Sequence, residues 1–291
     1  MALARSVIAR SVFRRVESFP RVKFMTELLK ANIWADVTFY RRSKLLLAFM
    51  LVFLLLTALQ SLPPLFMDSG VQSFNALQQI VADLNFFLLI LAGGMGLLVI
   101  SSHLRNRSLK MVFTKPCPPE VWLLSAYLSA AAMSLFLNLV VLGSGVLLSV
   151  LWRVPVRMGL VFVSAETFVV SLGLIGYLML LATVMHPALA AIVAVIFNAD
   201  LFYQFDVWTK AAIRSGNSSM ALRMVERLFQ GLYILLPMVY PFDKQTENIH
   251  TSLRVMRGEW KYLLFSLGYT LALSAFCYCV SLFALKRKNH I

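Results

Sequence analysis

Cysteine is scarce in this chain: Cys117, Cys277 and Cys279 are the only three in 291 residues. Such a set builds no disulfide framework, and a C-x-C pair without further Cys or His is a poor metal site. The four histidines are scattered, which argues further against metal chemistry. Acids are few as well, 13 against 27 Lys and Arg. No G-x-x-x-x-G-K-[ST] is present, and no Gly-rich loop opens a helix after a strand, so the chain has no nucleotide motif of its own. Runs such as LLLAFMLVFLLLTAL lack period-two alternation, which excludes a transmembrane β-barrel. No Ser-His-Asp arrangement stands out, and an enzyme would need polar groups converging on one point.

What is present in quantity is apolar sequence. The chain is 60% hydrophobic, with a mean hydropathy of +0.78. Crossing a hydrocarbon core takes about 20 helical residues, and the backbone must satisfy its own hydrogen bonds there. The expected fold is an all-α polytopic membrane protein with six transmembrane helices. They fall at about 45–66, 77–102, 121–151, 160–185, 188–205 and 261–285. Pro63 and Pro64 end the first. Arg153-Val-Pro-Val-Arg157 turns the chain between the third and fourth, and His186-Pro187 between the fourth and fifth. The organisation expected is a basic tail with an amphipathic helix (1–44), one membrane domain (45–285) and a short basic tail (286–291).

Charge then orients the spans. The net charge of +14 invites a nucleic-acid reading, but ten of the basic residues lie in 1–44, four in 103–120 and three in 286–288. These are the ends and loops that six spans place on one side, and the positive-inside rule makes that side cytoplasmic. Such flanks attract anionic lipid headgroups, so membrane lipids, and no nucleic acid, are the expected partners. The opposite side has none at 67–76, two at 152–159 and eight in the long segment 206–261, where five acids dilute them. Both termini are expected in the cytoplasm. The first 22 residues, with five Arg, three Ser and one Glu, fit a basic cytoplasmic tail or an organellar transit peptide.

Outside the spans, residues 22–44 form an amphipathic pattern. Met25, Leu29, Ile33 and Val37 recur every four residues, with Leu28, Trp34 and Tyr40 beside them. A helix lying in the membrane surface is expected, ended by Arg41, Arg42 and Lys44. Segment 206–260 is too long for a simple loop. Met220, Met224, Leu228 and Leu232 fit one helical stripe, and the apolar piece 232–242, broken by Pro237 and Pro241, reads as interfacial or re-entrant on the outer side.

Three sets of residues are candidates for function. Asp83, Glu166 and Asp200 are acids inside spans, all in the outer half on this topology. Intramembrane acids face a cavity or a partner, so these line an outer vestibule or pair locally with Arg153, Arg157 or Lys210. Gly93, Gly94 and Gly96 form a close-packing patch for a subunit interface, a moving seam or intramolecular contact. The loop SSHLRNRSLKMVFTKPCPPEVWLL carries Leu109, Val112 and Phe113 as an apolar edge among Arg105, Arg107 and Lys110; Lys115-Pro116 breaks it and Glu120 starts the next helix. A helix held there on two spans would take a push from a soluble partner.

This loop resembles the cytoplasmic loop of ABC-2 type transporter permease subunits. Those loops run Gly-Thr-x-Glu, leucines, Ser/Thr-Lys-Pro and then a helix starting with an acid and a Gly-Lys pair. Thr114-Lys115-Pro116 and Glu120 match. Arg107, Ser108 and Lys110 stand where Gly, Thr and the acid are common, and Ser125-Ala126 replaces Gly-Lys. The order of parts is also similar: an elbow helix, six spans and an outer insertion between spans five and six.

The resemblance implies an ABC-2 (type V) exporter-like fold. It also implies a permease subunit that pairs with a second permease subunit, identical or different, and docks on separate P-loop ATPase subunits. ATP and Mg would bind on those ATPases, with no cofactor in this chain. Segment 104–113 would be the coupling helix, with Leu109, Met111, Val112, Phe113, Lys115 and Glu120 as coupling residues. The implied activity is export of a lipophilic, amphiphilic or glycan-type substrate, in a bacterial inner membrane. Three other readings stand beside it. An intramembrane enzyme would use Asp83, Glu166 and Asp200. An ion-coupled secondary transporter would show inverted repeats, and 45–151 and 160–285 are not similar. An ABC-like machine that moves or regulates a partner protein would need the same coupling loop.

Overall fold

The structure is a computed structural model. It describes residues 21–42, scattered positions from 44 to 59, 70–105, 118–196, 207–212, 220–234, 249 and 252–288. Seven helices carry the architecture: α1 (Arg21–Arg42), α2 (Gly70–Arg105), α3 (Pro119–Leu151), α4 (Gly159–Val184), α5 (Pro187–Ile196), α6 (Met220–Ile234) and α7 (Trp260–Lys288). No strand occurs among the described residues. Four stretches are long and apolar enough to cross a membrane: Ser73–Ser101, Pro119–Leu151, Gly159–Val184 and Trp260–Arg287. The chain is therefore an integral membrane protein by the length and composition of its helices.

These four agree closely with the second, third, fourth and sixth expected spans. The first is represented by a shorter apolar helix, Met50–Leu59. The fifth is represented by the ten residues of α5, and 197–205, including Asp200, lie outside the described residues. The tail 1–20, residues 289–291 and the apolar piece 235–242 also lie outside them.

α4 is the centre of the bundle, packed by α2, α3 and α7. It runs parallel to α2, because Val81 and Leu160 meet at Gly145 of α3, toward their starts, while Gly96 lies against Ile175 farther along both. It also runs parallel to α7, because Gly176 lies on Ser274 while Phe162 meets Trp260 at a ring separation of 5.4 Å. α3 runs antiparallel between them, with Ser134 and Ser171 bonded through their hydroxyls at 2.7 Å. The ends of α2, α4 and α7 thus gather with the start of α3.

Lipid supplies no hydrophobic force between such helices, so close approach and interhelical hydrogen bonds hold them. The seams are built that way. The carbonyl of Leu172 accepts from the Tyr127 hydroxyl of α3 at 3.3 Å and the Ser274 hydroxyl of α7 at 3.4 Å. Outward faces stay apolar, with Phe136 and Leu147 on α3 and Leu264 and Phe276 on α7 exposed.

The expected turns take definite form. Arg153 adopts a left-handed conformation (φ 55°), and its neighbours close a Schellman cap: Val154 N–H donates to Ser149 and Arg153 N–H to Val150. Val154 tucks into the core behind it. Met185 and His186 break the helix before Pro187 opens α5.

Candidate functional site

The end of the bundle that carries Arg105, Glu120 and Lys286 is tied together by four polar tertiary contacts among the described residues. Glu120 sits in the first turn of α3, where a carboxylate complements the helix dipole. Its Oε1 lies 2.7 Å from Lys286 Nζ, near the end of α7. The Tyr278 hydroxyl, two turns earlier on α7, donates to the Glu120 backbone carbonyl at 3.0 Å. Two contacts therefore tie the start of α3 to the end of α7. Both partners of the ion pair are about half exposed, so it contributes little to stability. Its value is in fixing where the loop before α3 re-enters the bundle.

α1 braces the same end. Its half-buried face comprises Leu28, Leu29, Asn32, Ile33, Asp36 and Val37, with Tyr40 fully buried. Trp34, expected near the apolar stripe, points away and is 72% exposed. The inner face carries Tyr40, as expected from the apolar stripe, and also Asp36, which that stripe leaves out. Ser129 of α3 donates to Asp36 at 3.3 Å, and the Tyr40 hydroxyl donates to the Met95 carbonyl of α2 at 3.1 Å. Burial, reinforced by the neighbouring Asp36, pushes the Tyr40 hydroxyl above its ordinary pKa, so it stays a donor. Ser129 is ten residues, about 15 Å, into α3. α3 is about 50 Å long against a hydrocarbon core of about 30 Å, which leaves α1 near the boundary of that core.

Met95 stands inside the patch Gly93-Gly94-Met95-Gly96. A Cβ at Gly93 would meet Leu178 at 2.7 Å, and one at Gly96 would meet the Ile175 carbonyl oxygen at 3.3 Å. Both glycines thus serve the α2–α4 seam within one chain. Gly94 is half-buried beside them. Leu109, Met111, Val112, Phe113 and Lys115 lie outside the described residues, in the connection between α2 and α3. Of the coupling set, Glu120 alone is described.

Of the intramembrane acids, Asp83 and Glu166 stand apart from the basic end. Glu166 is buried on α4, two turns from its start, and Asp83 is half-buried on α2. Arg157, a candidate partner for Glu166, has another role. Its guanidinium donates to the Ser252 carbonyl and lies 4.2 Å from the centre of the Phe74 ring. Beside it the Gly159 N–H donates to the Leu253 carbonyl at 3.0 Å, and Leu253, with φ 51°, donates to Ile249 at 2.7 Å. The stretch at Ser252 and Leu253 is thereby fastened to the start of α4. No pattern in the sequence signals this latch, because its partners are about a hundred residues apart and are mostly backbone atoms. Among the described residues no cluster of His, Cys, Asp or Glu could hold a metal ion.

No protein-family model matches this chain, and no curated protein matches it.

Proposed function

We propose that this chain is the membrane-spanning permease subunit of an ATP-binding-cassette transporter of the ABC-2 type. In this reading it exports a lipophilic, amphiphilic or glycan-type substrate, and a separate P-loop ATPase drives it through segment 104–113. The observation that carries the reading is the bracing of one end of the bundle around that segment. The segment leaves α2 at Arg105 and enters α3 at Pro119. α3 is tied to α7 by Glu120, Lys286 and Tyr278, and to α1 by Ser129 and Asp36. A load applied between Arg105 and Pro119 therefore reaches α1, α2, α3 and α7 together.

Mechanically, closure of an ATPase pair beneath two such subunits would push the segment and rotate α2 and α3. α1 would resist at the outer edge. The path for substrate would open between the two permease subunits, and the exposed apolar faces suit a substrate that enters from lipid.

The test is purification of the tagged full chain from its native membrane in mild detergent, with mass spectrometry of what accompanies it. A stoichiometric P-loop ATPase is expected. The triple variant Leu109→Asp, Val112→Asp, Phe113→Asp should lose that ATPase while inserting normally. Recovery of the chain alone, monomeric and without an ATPase, would sink the proposal and favour a carrier driven by an ion gradient.

A further inference from the structure

Two asparagines lie in the apolar core of the bundle with hydrogen-bonding atoms unused. Asn85 on α2 is 6% exposed and Asn138 on α3 is 2% exposed. Neither Nδ2 nor Oδ1 of Asn85 has a hydrogen-bond partner, and neither does Oδ1 of Asn138. The Asn138 Nδ2 donates back to the Ser134 carbonyl at 3.1 Å, which anchors that amide. A buried amide left unsatisfied is costly, most of all at membrane depth.

The helix registers bring these groups to one place. Gly96 is level with Ile175, so Asn85, three turns earlier on the same face, is level with Ser164. Ser134 is level with Ser171 on an antiparallel helix, so Asn138 is level with Thr167. The Ser164 hydroxyl reaches the Asn138 backbone carbonyl at 3.4 Å, in keeping with that register. Asn85 and Asn138 therefore differ by about three residues in level, or about 4.5 Å. Both face the junction of α2, α3 and α4. Asn138 shares a face with Gly145, whose Cβ would meet Val81 of α2 and Leu160 of α4, and Asn85 is one turn beyond Val81.

We infer that Asn85 and Asn138 form a binding site for an internal water molecule at this three-helix junction. The set of unused atoms selects the ligand: one NH2 donor and two carbonyl acceptors. A bare cation would satisfy the two Oδ1 atoms but face the Asn85 NH2. An anion would satisfy the NH2 and be repelled by both Oδ1 atoms. Water donates twice and accepts twice, so it serves all three. Two hydrogen bonds of ordinary length also cover about 5 Å, enough to bridge that difference in level. The site is independent of the transport reading.

The direct test is water-edited solid-state NMR on the full chain in lipid bilayers. Magnetisation from water should reach the Asn85 and Asn138 side-chain amides well before the side chains of Leu84, Leu88 and Leu137. Equal, slow transfer to all of them overturns the proposal. A double-mutant cycle gives a second, independent answer. If water bridges the pair, Asn85→Leu and Asn138→Leu should each lower the melting temperature by a few degrees, and the double variant should recover most of that loss. If the amides are dry, each Leu should raise the melting temperature and the gains should add, which overturns the site. Replacing sodium with choline should leave the wild-type melting temperature unchanged. A sodium-dependent rise would overturn water in favour of a cation.

Discussion

Alanine placed at five glycines in turn should rank them by what each new methyl meets. At Gly143 on α3 and Gly268 on α7 nothing lies within 4 Å. There the methyl costs no space and removes a helix-weakening glycine, a gain of up to about 1 kcal/mol. At Gly93 the methyl meets the Leu178 tip at 2.7 Å. That side chain can turn away, so the helix gain and the rotamer cost nearly cancel. At Gly96 the obstacle is backbone, with the Ile175 oxygen at 3.3 Å and its Cα at 3.4 Å. The α2–α4 seam must part by a few tenths of an ångström along its length, for a net loss of about 1 kcal/mol.

Gly159 is the extreme case, because its methyl would overlap the backbone of Leu253. The latch must move, and the Gly159 to Leu253 hydrogen bond goes with it. Overpacking and the lost bond together cost about 2–4 kcal/mol, or roughly 3–8 °C in melting temperature for a chain of this size. Thermal melts in one detergent read all five variants. Trypsin cleavage at the exposed Arg254 and Arg257 adds a local reading and should speed up in Gly159→Ala alone. A Gly159→Ala variant as stable as wild type, or a Gly268→Ala variant less stable than Gly96→Ala, would refute the packing described for α2, α4 and the latch.

Other outcomes follow from single contacts. Tyr40→Phe keeps the buried ring and removes the bond to Met95, so stability should fall by about 0.5–1.5 kcal/mol; proteolysis at Lys30, on the exposed side of α1, should quicken with it. Lys286→Met should change the melting temperature by less than about 2 °C, since the Glu120 pair is half exposed; a reduced yield of co-purified ATPase at unchanged stability would show the pair acting through the coupling segment. Arg157→Lys keeps a positive charge near the Phe74 ring but loses the planar donor set, so the 252–259 segment should become more susceptible to trypsin with the bundle intact.

How much of this was legible beforehand depends on the kind of signal. Length and apolarity are properties of a window of sequence, so α2, α3, α4 and α7 could be placed to within a few residues, apart from the polar first turns of α2. Breakers are equally local: Pro187 and the Arg153–Arg157 turn act through backbone geometry that any reader of the chain can see. The amphipathic character of α1 was visible for the same reason. Tyr40, placed beside the apolar stripe, faces inward to Met95, but periodicity sorts residues by polarity and so leaves Asp36 off that stripe, whereas it meets Ser129 far along the chain.

By itself, the sequence determined that this is a helical membrane protein, which end of each long span is basic, and where the chain turns. Those follow from transfer free energy and backbone stereochemistry, which act residue by residue. Only the tertiary structure decided which helices meet. It turned Gly93 and Gly96 onto α4, gave Arg157 to Ser252 and Phe74, and set Asn85 and Asn138 at one junction. In lipid, all apolar faces are nearly equivalent in energy, so the choice of neighbour rests on a few close approaches and hydrogen bonds between distant residues, and no local window contains them.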